Sequence, residues 1–166
     1  MPRTLGQAIG FLLGLWLAIW LSPFGVNAEN RAPAAELEAD LHGRVLAIRS
    51  QEHLIPLIRR ADLDRIARSH AADMAQRGYM AHTTPEGRSP VDRMREGGIE
   101  GFALAAENIG KTSQANPTRA VVDGWVASPA HRENLHAPPF NATGIGVARA
   151  ADGSYLYTQI YATFPR

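Results

Sequence analysis

The chain has 166 residues, 45% hydrophobic and 20% charged, with 15 glycines and 11 prolines, the composition of one ordinary globular domain. Its 17 basic and 16 acidic residues leave a formal charge of +1 and form no block, which argues against a nucleic-acid or other polyanionic partner. Cysteine is absent; this excludes disulfides, thiolate metal sites, redox pairs and a cysteine nucleophile, so any catalysis must use histidine, carboxylate, hydroxyl or bound metal.

Residues 1–28 differ from the rest. From Ala8 to Leu21 the chain is almost unbroken apolar sequence, preceded by Arg3 and followed by Ser22-Pro23 and Val26-Asn27-Ala28. That order of basic, apolar and small-residue regions is that of a secretory signal peptide, and the run is shorter than the ~20 residues a helix needs to cross a bilayer. Cleavage is expected after Ala28, giving a secreted or periplasmic mature chain (29–166) with no membrane span. An uncleaved anchor lengthened by Leu5, Phe24 and Val26 is the alternative. Cleavage removes one basic residue, Arg3, and no acid, so the mature chain is formally neutral.

Helices come first in the mature chain. Leu37, Leu41, Val45 and Ile48 recur at steps of four, four and three, which predicts a one-side-buried helix over about Ala34 to Ser50. Leu63, Ile66, Ala67, His70, Ala71, Met74 and Ala75 repeat the period, with Asp62 and Asp64 at the start and Gly78 at the stop. Ser89-Pro90-Val91-Asp92 combines a capping hydroxyl, a proline at the first helical position and an acid three residues after the cap, predicting a short helix to about Glu96. Asn116-Pro117 repeats the device ahead of Ala120, Val121 and Trp125, and Ser128-Pro129 stops that helix and begins one more turn. Beyond Pro138-Pro139, Thr143 to Ala148 and Tyr155 to Thr163 are rich in Val, Ile, Tyr and Thr and are joined by a turn at Ala151-Asp152-Gly153, the pattern of a hairpin. A third strand is expected near Phe102 to Ala106. The order argues for an α+β domain with helices packed over a sheet, without repeats or an interdomain linker.

Three residues stand out as chemistry: His82 after the second helix, Glu107 in Ala106-Glu107-Asn108-Ile109-Gly110, and His131 in Ser128-Pro129-Ala130-His131, each read as lying in or beside a loop or helix end. Two imidazoles and a carboxylate could hold Zn²⁺ with a position left for water, or act as acid and base near neutral pH. Their spacings match no short ligand motif, and a purely structural polar network is the competing and commoner reading. His70 falls on an apolar stripe and reads as a half-buried packing residue with one satisfied nitrogen; Trp125 reads as a core anchor. No Gly-x-Ser-x-Gly elbow is present, and Asn141-Ala142-Thr143 fits a glycosylation acceptor only at the level of chance.

Order and identity together suggest a family. Leu54-Ile55-Pro56-Leu57, Ala67 through Met74, His82, Glu107-Asn108-Ile109-Gly110, Trp125 followed by Ser128 through Leu135, Thr143-Gly144-Ile145-Gly146-Val147-Ala148 and Tyr157-Thr158-Gln159-Ile160-Tyr161 follow one another as in the CAP superfamily of cysteine-rich secretory proteins, antigen 5 and pathogenesis-related class 1 proteins. The chain resembles its small bacterial branch from about Leu46 to Phe164. The resemblance implies a three-layer α-β-α sandwich around a small, mostly antiparallel sheet. It also implies a cleft lined by two histidines and two acids, reported in some relatives to hold a divalent metal. His82, Glu107 and His131 match three of those positions, His82 and His131 being the metal-ligand candidates and Zn²⁺ the candidate ion.

The departures bear on function. The second acid commonly comes three residues after the helix tryptophan, and that position here is Ser128; the fourth place falls to Glu133 only if its side chain turns in. Leu46 stands where the first helix usually has asparagine, with Arg49 kept. Without the disulfides of many relatives the core must hold by burial, which a domain of this size can do. Two classes of function compete: a binding module for a small molecule, lipid or cell-envelope component, and a metal-dependent or acid-base hydrolase using His82, His131 and Glu107. Fold resemblance cannot choose between them, and the incomplete acid set favours the first.

Overall fold

The computed structural model describes residues 31–165; the expected signal peptide, residues 1–28, and its cleavage point lie outside the described residues. In chain order the elements are α1 (Arg31–Gln51), β1 (Ile58–Arg59), α2 (Ala61–Arg77), α3 (Pro90–Glu96), β2 (Leu104–Thr112), α4 (Pro117–Ala127), α5 (Pro129–His136), β3 (Ala142–Arg149) and β4 (Tyr155–Thr163). The local devices act as the sequence predicts. Gly78 closes α2 at φ 70°, a conformation costly for residues with a Cβ. At the start of α3, the Ser89 hydroxyl accepts from the Asp92 N–H while Asp92 accepts from the Ser89 N–H, a reciprocal capping box. The Asn116 side chain caps α4 through the Arg119 N–H.

Three expectations shift, and one strand was not expected. α1 begins three residues earlier than its apolar stripe, because proline in a first turn breaks no helix hydrogen bond. α5 is two turns rather than one. The third strand is longer than Phe102 to Ala106 and displaced toward Thr112, so Glu107 lies in mid-strand rather than in a loop. β1, two residues long, carries no readable alternation and is fixed by its parallel pairing with β3.

The sheet order is β1-β3-β4-β2, antiparallel except for β1 against β3. Strand alternation sends Ile145, Val147, Tyr157 and Tyr161 to one face, where Leu41 and Val45 of α1, Val121 and Trp125 of α4 and Leu135 of α5 complete a core. On the other face Ala142, Ile160 and Ala162 meet Leu63, Ile66 and Ala67 of α2 and Met94 of α3. Helices on both sides of one sheet make the three-layer α-β-α sandwich. The glycines of β3 set the distance of α2: a Cβ at Gly144 would lie 2.2 Å from the Leu63 backbone, and one at Gly146 2.2 Å from the Arg68 amide nitrogen.

Two buried charges tie the layers together. Glu38 of α1 receives Arg59 at 2.6 Å and Arg68 at 2.5 Å. The Arg49 side chain, with no solvent exposure, donates to the carbonyls of Ile55, Leu135, Ala137 and Phe140 at 3.0–3.1 Å. Burial lowers its pKa from the ordinary arginine value, and the four carbonyls satisfy donors that have no carboxylate partner among the described residues. Arg49 thereby fixes the end of α1 to the segment leaving α5, which carries His131.

Candidate functional site

β2 is an edge strand, and its two faces hold the two halves of the site. Glu107 points toward α2 and α3. Its side chain is 1% exposed and both oxygens are taken: Arg93 Nη2 donates to Oε2 at 2.5 Å and His82 Nδ1–H donates to Oε1 at 2.9 Å. Arg93 also donates through Nη1 to the His82 carbonyl at 2.7 Å and the Arg88 carbonyl at 3.2 Å, so one guanidinium fixes both the acid and the loop that carries the imidazole. His70 Nε2 lies 4.0 Å from Glu107 and donates instead to the Ala81 carbonyl at 3.0 Å. Its expected packing role with one satisfied nitrogen is what the structure contains, although the ring is fully buried rather than half-buried.

The neighbouring residue, Asn108, points to the opposite face and holds α5. Its side-chain NH₂ donates to the His131 carbonyl at 3.0 Å, and its oxygen accepts from Asn134 at 2.9 Å. The network continues through the Tyr161 hydroxyl to Gln159 and Thr143. His131 is thus set in the first turn of α5 by its own backbone. Its ring stacks on Trp125 at 6.5 Å between centroids and 30° between planes, and its Nδ1 pairs with the Ser128 hydroxyl at 2.9 Å. Trp125 is buried, with its indole N–H on the Ile109 carbonyl at 2.8 Å, so the core-anchor reading holds. Burial lowers the His131 pKa from the usual histidine value, and the charge of His82 lowers it further.

Of the four predicted cleft residues, the structure joins His82 to Glu107 directly, while among the described residues His131 pairs with Ser128 and Trp125 and shares no hydrogen bond with His82 or Glu107. Glu133 is exposed on α5, and among the described residues no hydrogen bond or ion pair joins it to the other three. Both imidazoles are anchored through Nδ1, leaving each Nε2 without a protein partner among the described residues. His82, 48% exposed, faces solvent. The donor set does not fit a three-ligand zinc site. Glu107 is committed to Arg93 and His82, Ser128 replaces an acid, and no group of three or more His, Cys, Asp or Glu residues among those described could hold a metal ion. Sequence reasoning missed Arg93, Asn108 and Asn134. The two asparagines lie inside the family-like runs, whereas Arg93 carries no signal of its own on a short amphipathic helix.

The comparisons with known proteins agree with this architecture. Residues 43–161 match the model of the cysteine-rich secretory protein family, CAP. The chain belongs to this family. It is 38% identical over 113 residues to the uncharacterized Bacillus subtilis protein YkwD, covering 68% of this chain and 42% of that protein, and 34% identical over 84 residues to the uncharacterized B. subtilis membrane protein YlbC, covering 51% and 23%. An extracellular SCP-domain protein of Bacillus anthracis superposes with a TM-score of 0.68 at 29% identity, over 78% of this chain and 41% of that one. An outer surface protein of Borrelia burgdorferi shares the fold, with a TM-score of 0.71 at 20% identity over 78% of this CAP chain and 94% of that protein. The chain spans less than half the length of the two Bacillus subtilis relatives it matches. Among the described residues no helix is long and apolar enough to cross a membrane.

Proposed function

We propose that this CAP protein is exported and that the His82–His131 cleft binds a small-molecule, lipid or cell-envelope ligand without breaking a bond in it. The observation that carries the reading is the closure of Glu107: with a donor on each oxygen and 1% of the side chain exposed, its carboxylate is engaged and screened from a substrate proton or water. Ser128 occupies the place of the second acid and is itself used by His131. The cleft therefore offers two oriented imidazole nitrogens and an aromatic backing, which recognise a ligand but supply only half of an acid–base pair. Export is supported by the signal-peptide pattern and by the extracellular B. anthracis relative.

The test is equilibrium binding of the mature protein to purified envelope fractions and lipid vesicles, with soluble fragments measured in the same samples. Saturable binding that disappears in His82→Ala/His131→Ala, with no fragments released, is the expected result. Fragment release that is lost in Glu107→Gln would replace this reading by hydrolysis, and equal binding by the double variant would remove the cleft from the function.

A further inference from the structure

The fixed partners of His82 decide the polarity it shows to a ligand. A carboxylate only accepts hydrogen bonds, and Glu107 meets the Arg93 guanidinium on its other oxygen, so the 2.9 Å contact with His82 is a donation from Nδ1–H. A neutral imidazole carries a proton on only one of its ring nitrogens. His82 Nε2 is therefore a bare lone pair, without a partner among the described residues and on a side chain 48% exposed. It is an acceptor and not a donor.

Three elements hold the ring in that state. His70 Nε2 of α2 donates to the Ala81 carbonyl at 3.0 Å, Arg93 Nη1 of α3 donates to the His82 carbonyl at 2.7 Å, and Glu107 of β2 takes the ring proton. The carbonyls on both sides of the His82 Cα are thereby anchored. His70, Arg93 and Glu107 are all buried, and leaving buried donors or acceptors unmatched is costly, so turning the ring away from Glu107 is opposed. His131 differs: its Nδ1 meets the Ser128 hydroxyl, which donates or accepts, so the proton on His131 follows the ligand. The proton on His82 does not. We propose that the ligand presents a hydrogen-bond donor, a hydroxyl or an N–H, to His82 Nε2, and that ligands meeting this nitrogen with acceptors alone are rejected. The inference rests on the reading that the cleft binds a ligand. Within that reading it singles out components rich in hydroxyl or amide N–H groups, such as glycans.

Phenol, anisole and pyridine N-oxide are close in size and offer, in turn, a hydroxyl donor, an ether oxygen and a strong acceptor without a donor. Each is titrated into mature protein labelled at the imidazole nitrogens, above the pH range in which imidazole protonates, and the His82 nitrogens are followed by NMR. The free protein is expected to carry its proton on Nδ1. Phenol should shift the Nε2 signal saturably, with a millimolar dissociation constant suited to so small a ligand, and bind about threefold or more tighter than either other probe. Glu107→Gln, which moves the proton to Nε2, should reverse the order in favour of pyridine N-oxide; the wild-type comparison decides alone if that variant does not fold. A proton on Nε2 in the free wild type, equal binding of the three probes, no saturable shift with phenol, or an unreversed order in folded Glu107→Gln would each overturn the inference. If one of these is found while envelope binding is still lost in His82→Ala/His131→Ala, the cleft reading stands and only the polarity falls. Equal envelope binding by the double variant overturns both.

Discussion

Glu107→Gln keeps the shape of the central side chain and removes its charge. Two donors converge on the carboxylate, Arg93 Nη2 at 2.5 Å and His82 Nδ1–H at 2.9 Å, whereas a carboxamide has one acceptor oxygen and one NH₂ donor and can serve only one of them. Arg93 is 8% exposed and cannot give up its proton. His82 is half-exposed and can change tautomer. The amide oxygen should therefore turn to Arg93 and the NH₂ to His82, which must accept at Nδ1 and carry its proton on Nε2. Leaving a buried guanidinium without its carboxylate costs about 3–5 kcal/mol, a large part of the stability of a domain this size. Urea unfolding measures the loss, and nitrogen-detected NMR of the imidazoles above their titration range reads the tautomer. A loss below about 1 kcal/mol, the range of an exposed pair, or a His82 that keeps its proton on Nδ1, would refute the sealed arrangement.

Gly146→Ala forces α2 away from β3, because the new methyl would sit 2.2 Å from the Arg68 amide nitrogen; a loss of about 1–3 kcal/mol is expected by denaturant unfolding, and a neutral result would contradict the close helix–sheet contact. Burial lowers the pKa of both His70 and His131, so the unfolded chain takes up protons first as pH falls. Stability should be full above the ordinary histidine range, near 6.5, and decline as pH drops through it; a urea midpoint that stays level or rises over that interval would show that these rings are not held neutral. Intact-mass analysis of protein recovered from an exporting host should give a chain beginning at Glu29, and a mass that retains residues 1–28 would favour an anchor.

The parts legible in the sequence are those written locally. The α2 stripe, the Ser89–Asp92 capping box, the Asn116 cap and the 143–163 hairpin each depend on residues a few positions apart, and all are present. β2 was half-visible because its alanines have weak strand preference and its place comes from pairing with β4 along nine residues. Glu38, Arg49 and Arg93 are charged residues that a helical pattern assigns to solvent. Their burial depends on partners far away in sequence, such as the carbonyls of Leu135 and Phe140 for Arg49. The pairing of His82 with Glu107 was legible through the order of the family-like motifs, but what else holds the acid was not. Whether Glu107 faces a ligand or a guanidinium depends on α3, 14 residues upstream of it.

Zinc calorimetry on the mature protein, above the pH range in which imidazole protonates, tests the central claim most directly. If Glu107 is closed and the cleft offers two imidazoles without a third ligand, wild-type binding should be micromolar or weaker, far from the ~10–16 kcal/mol of structural zinc sites, and Ser128→Asp, which restores an acid beside His131, should tighten it. Tight stoichiometric binding by the wild type that is lost in Glu107→Gln would mean that Glu107 leaves Arg93 to ligate metal, and would contradict the closed cleft.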